Sequence, residues 1–459
     1  MIIKPEQIST YSLIRSSWGG DICKVLAAAI NGADAGAAIK KHVSRDTEYL
    51  FIDRNTFDLC IFKRIFIIGA GKASIPMASA IYELLNVNIT SGIVITKDGH
   101  LDPEKYKIGT QVEVIEASHP IPDQRNLVAA EKLSSLISKL NRNDLVIFLL
   151  SGGGSSLLMK PSTGLSLQDI QETTSLLLGC GASISEINTI RKHFDVFKGG
   201  GLAKLLTPAT VISLILSDVV GDNIEVIGSG PTVADPSTFN DAWVILENYK
   251  MLDQVPPNVR SRFLTGIQGE IQETIKPGNP ILSRFTNVIV GNNTDAVNSA
   301  FNAAKNLGFD SRLLTTILHG EASQMGSDLF EEVKALLSTP TLVKRQVCMI
   351  AGGETTVTLK GTGKGGRNQE LALGVVKNLS GSEPWILASL ATDGGDGPTD
   401  AAGAVITNET FSRALSMGLD PQDYLRRNDS YHFFASLNDL ILTGPTLTNV
   451  NDLVLFFKV

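Results

Sequence analysis

The chain has no excess of basic charge. Lys and Arg number 40 against 47 Asp and Glu in 459 residues, a net charge of −7, and no basic block stands out. The electrostatic footprint of a nucleic-acid binder is missing, so a small-molecule ligand is expected instead. Cysteine is scarce too. Cys23, Cys60, Cys180 and Cys348 form no CxxC pair and lie among apolar or small residues, which points to buried free thiols in a reducing compartment rather than disulfides or zinc. No apolar run approaches the ~20 residues of a membrane span, and the opening MIIKPEQISTYSLIRSSW lacks a basic segment followed by an apolar one. A cytoplasmic location, with no membrane and no nucleic-acid partner, follows as the expectation.

Three signatures are also incomplete or absent. There is no GxSxG, so a hydrolase nucleophile elbow is not supported. Gly71-Lys72 is followed by Ala73 and has no glycine at the spacing of a Walker A loop. The strand-like RIFIIGAGKAS carries two glycines of a dinucleotide fingerprint, but Ser74 stands where the third belongs.

What is present is ample for large cores, since 43% of the residues are hydrophobic and the length suggests two or three domains. Ile22, Val25, Leu26 and Ile30 recur with helical spacing, and a second run passes through Ala37, Ile39 and Val43. Apolar runs of strand length follow at 65–68, 93–96, 112–115, 145–150 and 211–216, with helical segments at 73–85 and 126–140 between them. Alternation of this kind predicts βαβ units in a parallel, Rossmann-like sheet. The polar, proline-bearing stretch 255–280 is the expected boundary. Beyond it the alternation restarts with NVIVG, so the domains read as 1–280 and 281–459. The second is an α/β domain with a mixed sheet, in which VCMIAG and TTVTL are spaced for a hairpin.

The chemistry-bearing residues sit on glycine-rich loops. Lys72, beside Gly71 at a predicted helix start, has the setting of an anion site. SGGGSS follows the apolar VIFLL, so Ser151, Gly152, Gly153, Gly154 and Ser155 can offer amides and hydroxyls to an oxyanion. Arg191 and Lys198 lie near Gly199–Gly201, and Asp218 and Asp222 straddle a glycine after another strand, placed to hold a metal or orient a hydroxyl. His193 and His119 read as structural, the latter shaping a turn. In GGETTVTLKGTGKGGRNQE, Lys364 and Arg367 add positive charge to a glycine-rich wall that also carries Glu354 and Asn368. Asp393, Asp396 and Asp400 follow the apolar PWILASLA, and hard oxygen ligands of this kind suit Mg²⁺ in phosphoryl transfer.

In their order, GAGKAS, SHPIPD, LLSGGGSSLL, INTIRKHF, KGGGLA, LSDVVGD, IGSGPTVADP, GGETTVTLKGTGKGGRNQE, ATDGGDGPTDAAGA and TGPTLTNVNDL resemble the glycerate 2-kinases that carry a MOFRL domain (multi-organism fragment with rich leucine). The resemblance spans nearly the whole chain, apart from 240–280, and puts the MOFRL region at about 345–455. It implies transfer of the γ-phosphoryl group of ATP to D-glycerate, giving 2-phosphoglycerate, with the active site in an interdomain cleft and a homodimer left open. It also implies that Lys72 and Arg367 are the basic pair of that cleft, and that the acidic loops supply catalytic and metal groups: Asp218 and Asp393 for the first role, Asp218, Asp222 and Asp396 for the second. Some members carry the label hydroxypyruvate reductase, so an NAD(P)H-dependent reductase is the alternative, weakened by the incomplete fingerprint. A non-catalytic sugar-acid or nucleotide sensor would not need the carboxylates.

Overall fold

The run RIFIIGA is apolar throughout because both faces of its strand are covered. It forms β1 (Arg64–Ala70), in which every residue after the first is buried, as a parallel sheet between helix layers requires. The same logic gives β2 (Ile89–Lys97), β3 (Val112–Ala117), β4 (Asp144–Leu150) and β5 (Thr210–Leu216), while the half-exposed β6 (Phe285–Gly291) closes one edge. The spatial order is β3-β2-β1-β4-β5-β6, and β1 pairs parallel with β2 and β4, as β2 does with β3 and β4 with β5. The chain winds outward from β1 to β3 and then returns to the other side of β1. The connections leaving the C-terminal ends of β1 and β4 therefore lead to opposite sides of this pair, which marks the switch point where a ligand crevice is expected.

The computed structural model describes residues 2–337, 346–381 and 383–459. They form two units, Ala35–Val290 and Met1–Asp34 with Gly291–Val459. This differs from the expected 1–280 and 281–459 at both ends. The stretch 255–280 is no linker: its helix Pro257–Ile267 buries Val259 and Phe263 in a cluster with Phe194 and Phe239. NVIVG is not the start of a new sheet but the edge strand β6. At the other end, the helix Gly19–Gly32 buries Ile22, Val25, Leu26 and Ile30, each contributing about 2 kcal/mol. It lies so close to the helix Asn293–Asn306 that a Cβ on Gly32 would stand 2.4 Å from that of Ser299. Trp18 meets Phe309 edge-on, and Phe309 meets Phe457.

The second unit has the mixed sheet expected of it. Its strands are β7 (Asp310–Leu318), β8 (Val347–Gly353), β9 (Trp385–Ala391), β10 (Gly403–Thr407), β11 (Leu440–Ile441) and β12 (Asp452–Lys458), in the order β7-β8-β12-β9-β10-β11. β7 and β8 are parallel, and β12 runs antiparallel between β8 and β9. The expected hairpin from VCMIAG to TTVTL does not form. Both edges of β8 are already taken by β7 and β12, and the segment 354–366 that follows makes a single bridge, Thr356 with Glu321.

All four cysteines are free. Cys23 and Cys348 are buried as expected, but Cys60 and Cys180 are exposed, the first on the surface turn Leu59–Ile61 and the second at the end of the helix Leu167–Gly179. Among the described residues, no single helix is long and apolar enough to cross a membrane.

Candidate active site

In the first unit the loops after β1 and β4 touch because one of them lacks a side chain. Gly71 leaves β1 at φ 134°, and a Cβ there would lie 2.2 Å from Ser151 Oγ. The Lys72 N–H donates to the Gly152 carbonyl at 2.8 Å, and the Ala73 N–H donates to Ser151 Oγ at 3.0 Å. Ser151 is fully buried, so it braces the two loops rather than facing a ligand. The Gly154 N–H donates to the Ser151 carbonyl at 3.0 Å, so the donors that remain for an oxyanion belong to Gly152, Gly153 and Ser155.

Two imidazoles join this crevice, both from C-terminal strand ends. A Cβ on Gly153, whose φ is 82°, would stand 3.1 Å from His119 Nε2 and 3.4 Å from Lys72 Cγ. The ring of His119 and the stem of Lys72 therefore enclose the loop, which is more than the turn-shaping role expected of His119. His100, after β2, places Nδ1 2.9 Å from the Lys72 carbonyl; a carbonyl only accepts, so that nitrogen carries the proton. Sequence reasoning passed over His100. Its signal was the position of KDGH at a strand end next to the strand bearing GAGKAS.

Ser155 Oγ lies 2.8 Å from Ser229 Oγ, which donates to Asn188 Oδ1 at 2.9 Å. Lys198 is not available for a phosphate. It is 3% exposed and gives its protons to Asp195 at 2.8 Å and to the Leu158 carbonyl at 3.0 Å; burial holds its pKa below the ordinary lysine value despite that pair. Arg191, by contrast, makes no such pair among the described residues. Asp218 and Asp222 are both half-buried on one turn after β5, closed by the Asp222 N–H donating to the Val219 carbonyl at 3.0 Å.

The second unit gathers its charges through sheet register. Because β12 lies between β8 and β9, Asp452 stands opposite both Gly353 and Ala391. Asn293 fixes this point by donating to the carbonyls of Val450 and Asp452, and the missing side chain of Gly352 leaves it room. Arg367 opens the helix Arg367–Leu379 at the same end of the sheet. Its guanidinium grips Asp452 with Nε at 2.5 Å and Nη2 at 3.0 Å, and reaches Glu354 with Nη1 at 2.6 Å. Those carboxylates raise its pKa against the opposing pull of burial. Three of its five N–H groups are engaged and two are left for a ligand.

Asp396 has a structural duty in place of the expected metal one. Its two oxygens accept the N–H groups of Asn368 at 3.1 Å and Gln369 at 2.9 Å, capping a helix whose own N-cap residue is Gly366. Gly366 is needed there, as a Cβ would fall 2.3 Å from Asp396 Cγ. Burial and the nearby Asp452 push the Asp396 carboxyl up to about 7 even against those N–H bonds. Asn368 is buried and held between Asp396 and the Ser389 hydroxyl, so it too faces the protein. Lys364 rests its ammonium 4.3 Å from the Tyr431 ring centre, and Tyr431 donates to Asp400. Asp393 accepts the Gly395 N–H at 3.1 Å and is half-buried. Among the described residues, no group of three or more His, Cys, Asp or Glu is arranged to hold a metal ion.

A doubly wound sheet with a glycine-lined switch point, joined to a mixed sheet carrying an anchored arginine, defines an α/β protein equipped for anionic ligands. Residues 21–264 match a family model described as a domain of unknown function (DUF4147), and 347–452 match the MOFRL family. The chain belongs to the MOFRL-bearing glycerate 2-kinase family. It is 40% identical over 433 residues to a glycerate 2-kinase of Pyrococcus horikoshii, covering 94% of this chain and 95% of the relative. It is 42% identical over 416 residues to a D-glycerate 2-kinase of Thermotoga maritima, covering 90% and 96%. A crystal structure of glycerate kinase from Thermotoga maritima superposes with a TM-score of 0.80 at 39% identity, covering 95% of this chain and 98% of that one. A sequence from Agrobacterium vitis, provisionally named a hydroxypyruvate reductase, is 39% identical over 393 residues, covering 85% and 86%.

Proposed function

We propose that the protein is a D-glycerate 2-kinase, moving the γ-phosphoryl group of ATP to the 2-hydroxyl of D-glycerate. The observation that carries the reading is the Lys72 turn locked against the glycine loop of β4, which puts a cation and unshared amides at the switch point of the sheet. Phosphoryl transfer asks for this, because its barrier falls mainly through positioning and charge stabilisation. Lys72 and the amides of Gly152 and Gly153 hold phosphate oxygens. In the second unit, Arg367, oriented by Asp452 and Glu354, offers two N–H donors from a fixed fork to an anionic ligand. One of the half-buried carboxylates Asp218, Asp222 and Asp393 takes the proton of the substrate hydroxyl.

Asp218 and Asp222, half-buried carboxylates on one turn, would hold Mg²⁺, which commonly keeps water and substrate phosphates as most of its ligands and takes one or two carboxylates from the protein. When bound, the ion neutralises charge on the transferring phosphates.

Hydride transfer fits less well. The hydroxyl of Ser74, where the fingerprint glycine would be, is buried and bonded to the carbonyls of Gly71 at 2.7 Å and Ile95 at 3.1 Å. The test is coupled ADP release with D-glycerate, ATP and Mg²⁺, run beside NAD(P)H oxidation with hydroxypyruvate. Turnover in the first assay alone is expected, and turnover in the second alone would refute the reading.

A further inference from the structure

One cation in the first unit lacks the partner its burial calls for. Arg191 lies half-buried on the helix Ile184–Phe194, and among the described residues its guanidinium has no hydrogen bond and no ion pair. Its neighbours are matched. Lys192 pairs with Asp235 at 3.1 Å and Lys198 with Asp195 at 2.8 Å. Arg191 feels the charges of Asp195 and Lys198, so the three form a cluster of two cations and one anion with a single positive charge left over. Withdrawing a charge from water is costly without a counter-ion. Burial accordingly lowers the Arg191 pKa, and the attraction of Asp195 only partly offsets this.

The helix and its neighbours fix where this charge sits. Asn188, three residues earlier and so on the same helix face, accepts from Ser229, whose oxygen meets Ser155. Lys198, on the other flank, is tied to the Leu158 carbonyl. Ser155 lies within the short turn Gly154–Leu157 that follows the glycine loop, and Leu158 ends it. The cluster is thus braced against both halves of that turn.

We propose that Arg191 recognises the carboxylate of the substrate and sets the preference of the enzyme for a hydroxy acid over a plain polyol. The proposal rests on the kinase reading above. One surplus positive charge matches one carboxylate, and a guanidinium fork can take both oxygens at once. The more highly charged phosphates fall to Lys72 and the loop amides. Glycerol, which keeps the hydroxyls of glycerate but lacks the carboxylate, would leave Arg191 unmatched. Sites that pair a buried polar group reject an analogue lacking its partner by about 10⁴-fold.

The experiment compares wild type with Arg191→Met and Arg191→Lys, measuring kcat/KM for D-glycerate and glycerol, KM for ATP, and melting temperature with and without D-glycerate. Arg191→Met should raise KM for D-glycerate by about 100-fold or more and leave KM for ATP within about twofold, the range expected when one charged, hydrogen-bonded contact is lost. Its discrimination against glycerol should shrink by the same factor. Ligand-free Arg191→Met should melt no lower than wild type, since the removed charge had no partner, and should lose the shift that D-glycerate induces. Arg191→Lys, keeping charge without the fork, should fall between. An unchanged KM for D-glycerate, a loss falling on ATP, or a lower ligand-free melting temperature with KM intact would each overturn the assignment. If wild type phosphorylates no D-glycerate, the kinase reading fails, and the D-glycerate melting shift alone then decides the role of Arg191.

Discussion

The backbone N–H of Lys72 donates to the carbonyl of Gly152 at 2.8 Å, so the loop after β1 and the loop after β4 are a single braced unit. The brace is made by the backbone of Lys72. Lys72→Ala should therefore keep its fold, within about 0.5 kcal/mol, while kcat falls by roughly 10²–10³-fold, the usual loss for one preorganised donor. Turnover and thermal unfolding on the same preparation check this, and near-wild-type kcat would remove Lys72 from the mechanism.

Gly153→Ala asks more of the same loop. The new Cβ would occupy a left-handed position at φ 82° and press on His119, at a strain of about 1–3 kcal/mol. We expect a lowered melting temperature together with a raised KM for ATP, measured by unfolding and by steady-state kinetics. A variant that melts like wild type and binds ATP as tightly would show that the loop geometry is not needed.

Arg367 is expected to behave differently from Lys72, because its side chain is part of the structure. Removing it in Arg367→Ala leaves Asp452, whose side chain is 5% exposed, without its cation, at a destabilisation of about 3 kcal/mol in addition to lost turnover. Arg367→Lys should recover part of the stability and little of the activity, since an ammonium cannot span Asp452 and Glu354 with a planar fork. Chemical denaturation of both variants, beside kcat, tests the separation.

The pH dependence of stability should carry the mark of Asp396. Its folded pKa of about 7 lies above the ordinary 3.8, so between these values the folded chain holds more protons than the unfolded one. Stability from this group is complete below about pH 4 and declines as pH rises through 7. Asp396→Asn should remove that decline, because an amide does not titrate. Unfolding free energies across pH 4–8 measure it, and an unchanged slope would contradict the assignment.

The central strands of the first sheet were legible because two-sided burial writes an unbroken apolar run, as in RIFIIGA and VIFLL. The boundary was not, since the helix at Gly19–Gly32 docks on a helix more than 250 residues later, and no local pattern reports so distant a partner. The glycine loops also stood out. Which of their polar residues face a ligand did not: Ser151, Lys198 and Asp396 are the residue types that bind anions and metals, but their partners are the Ala73 N–H, Asp195 and the first amides of a helix. Arg191 looked no different from Lys198 in sequence, and only the accounting of neighbouring charges separates them.

The most direct measurement is phosphorus NMR of the products formed from ATP, Mg²⁺ and D-glycerate. The account predicts 2-phosphoglycerate and ADP in equal amounts, with no NAD(P)H consumed when hydroxypyruvate is offered instead. A spectrum showing only 3-phosphoglycerate, or no sugar-acid phosphate at all, would contradict it.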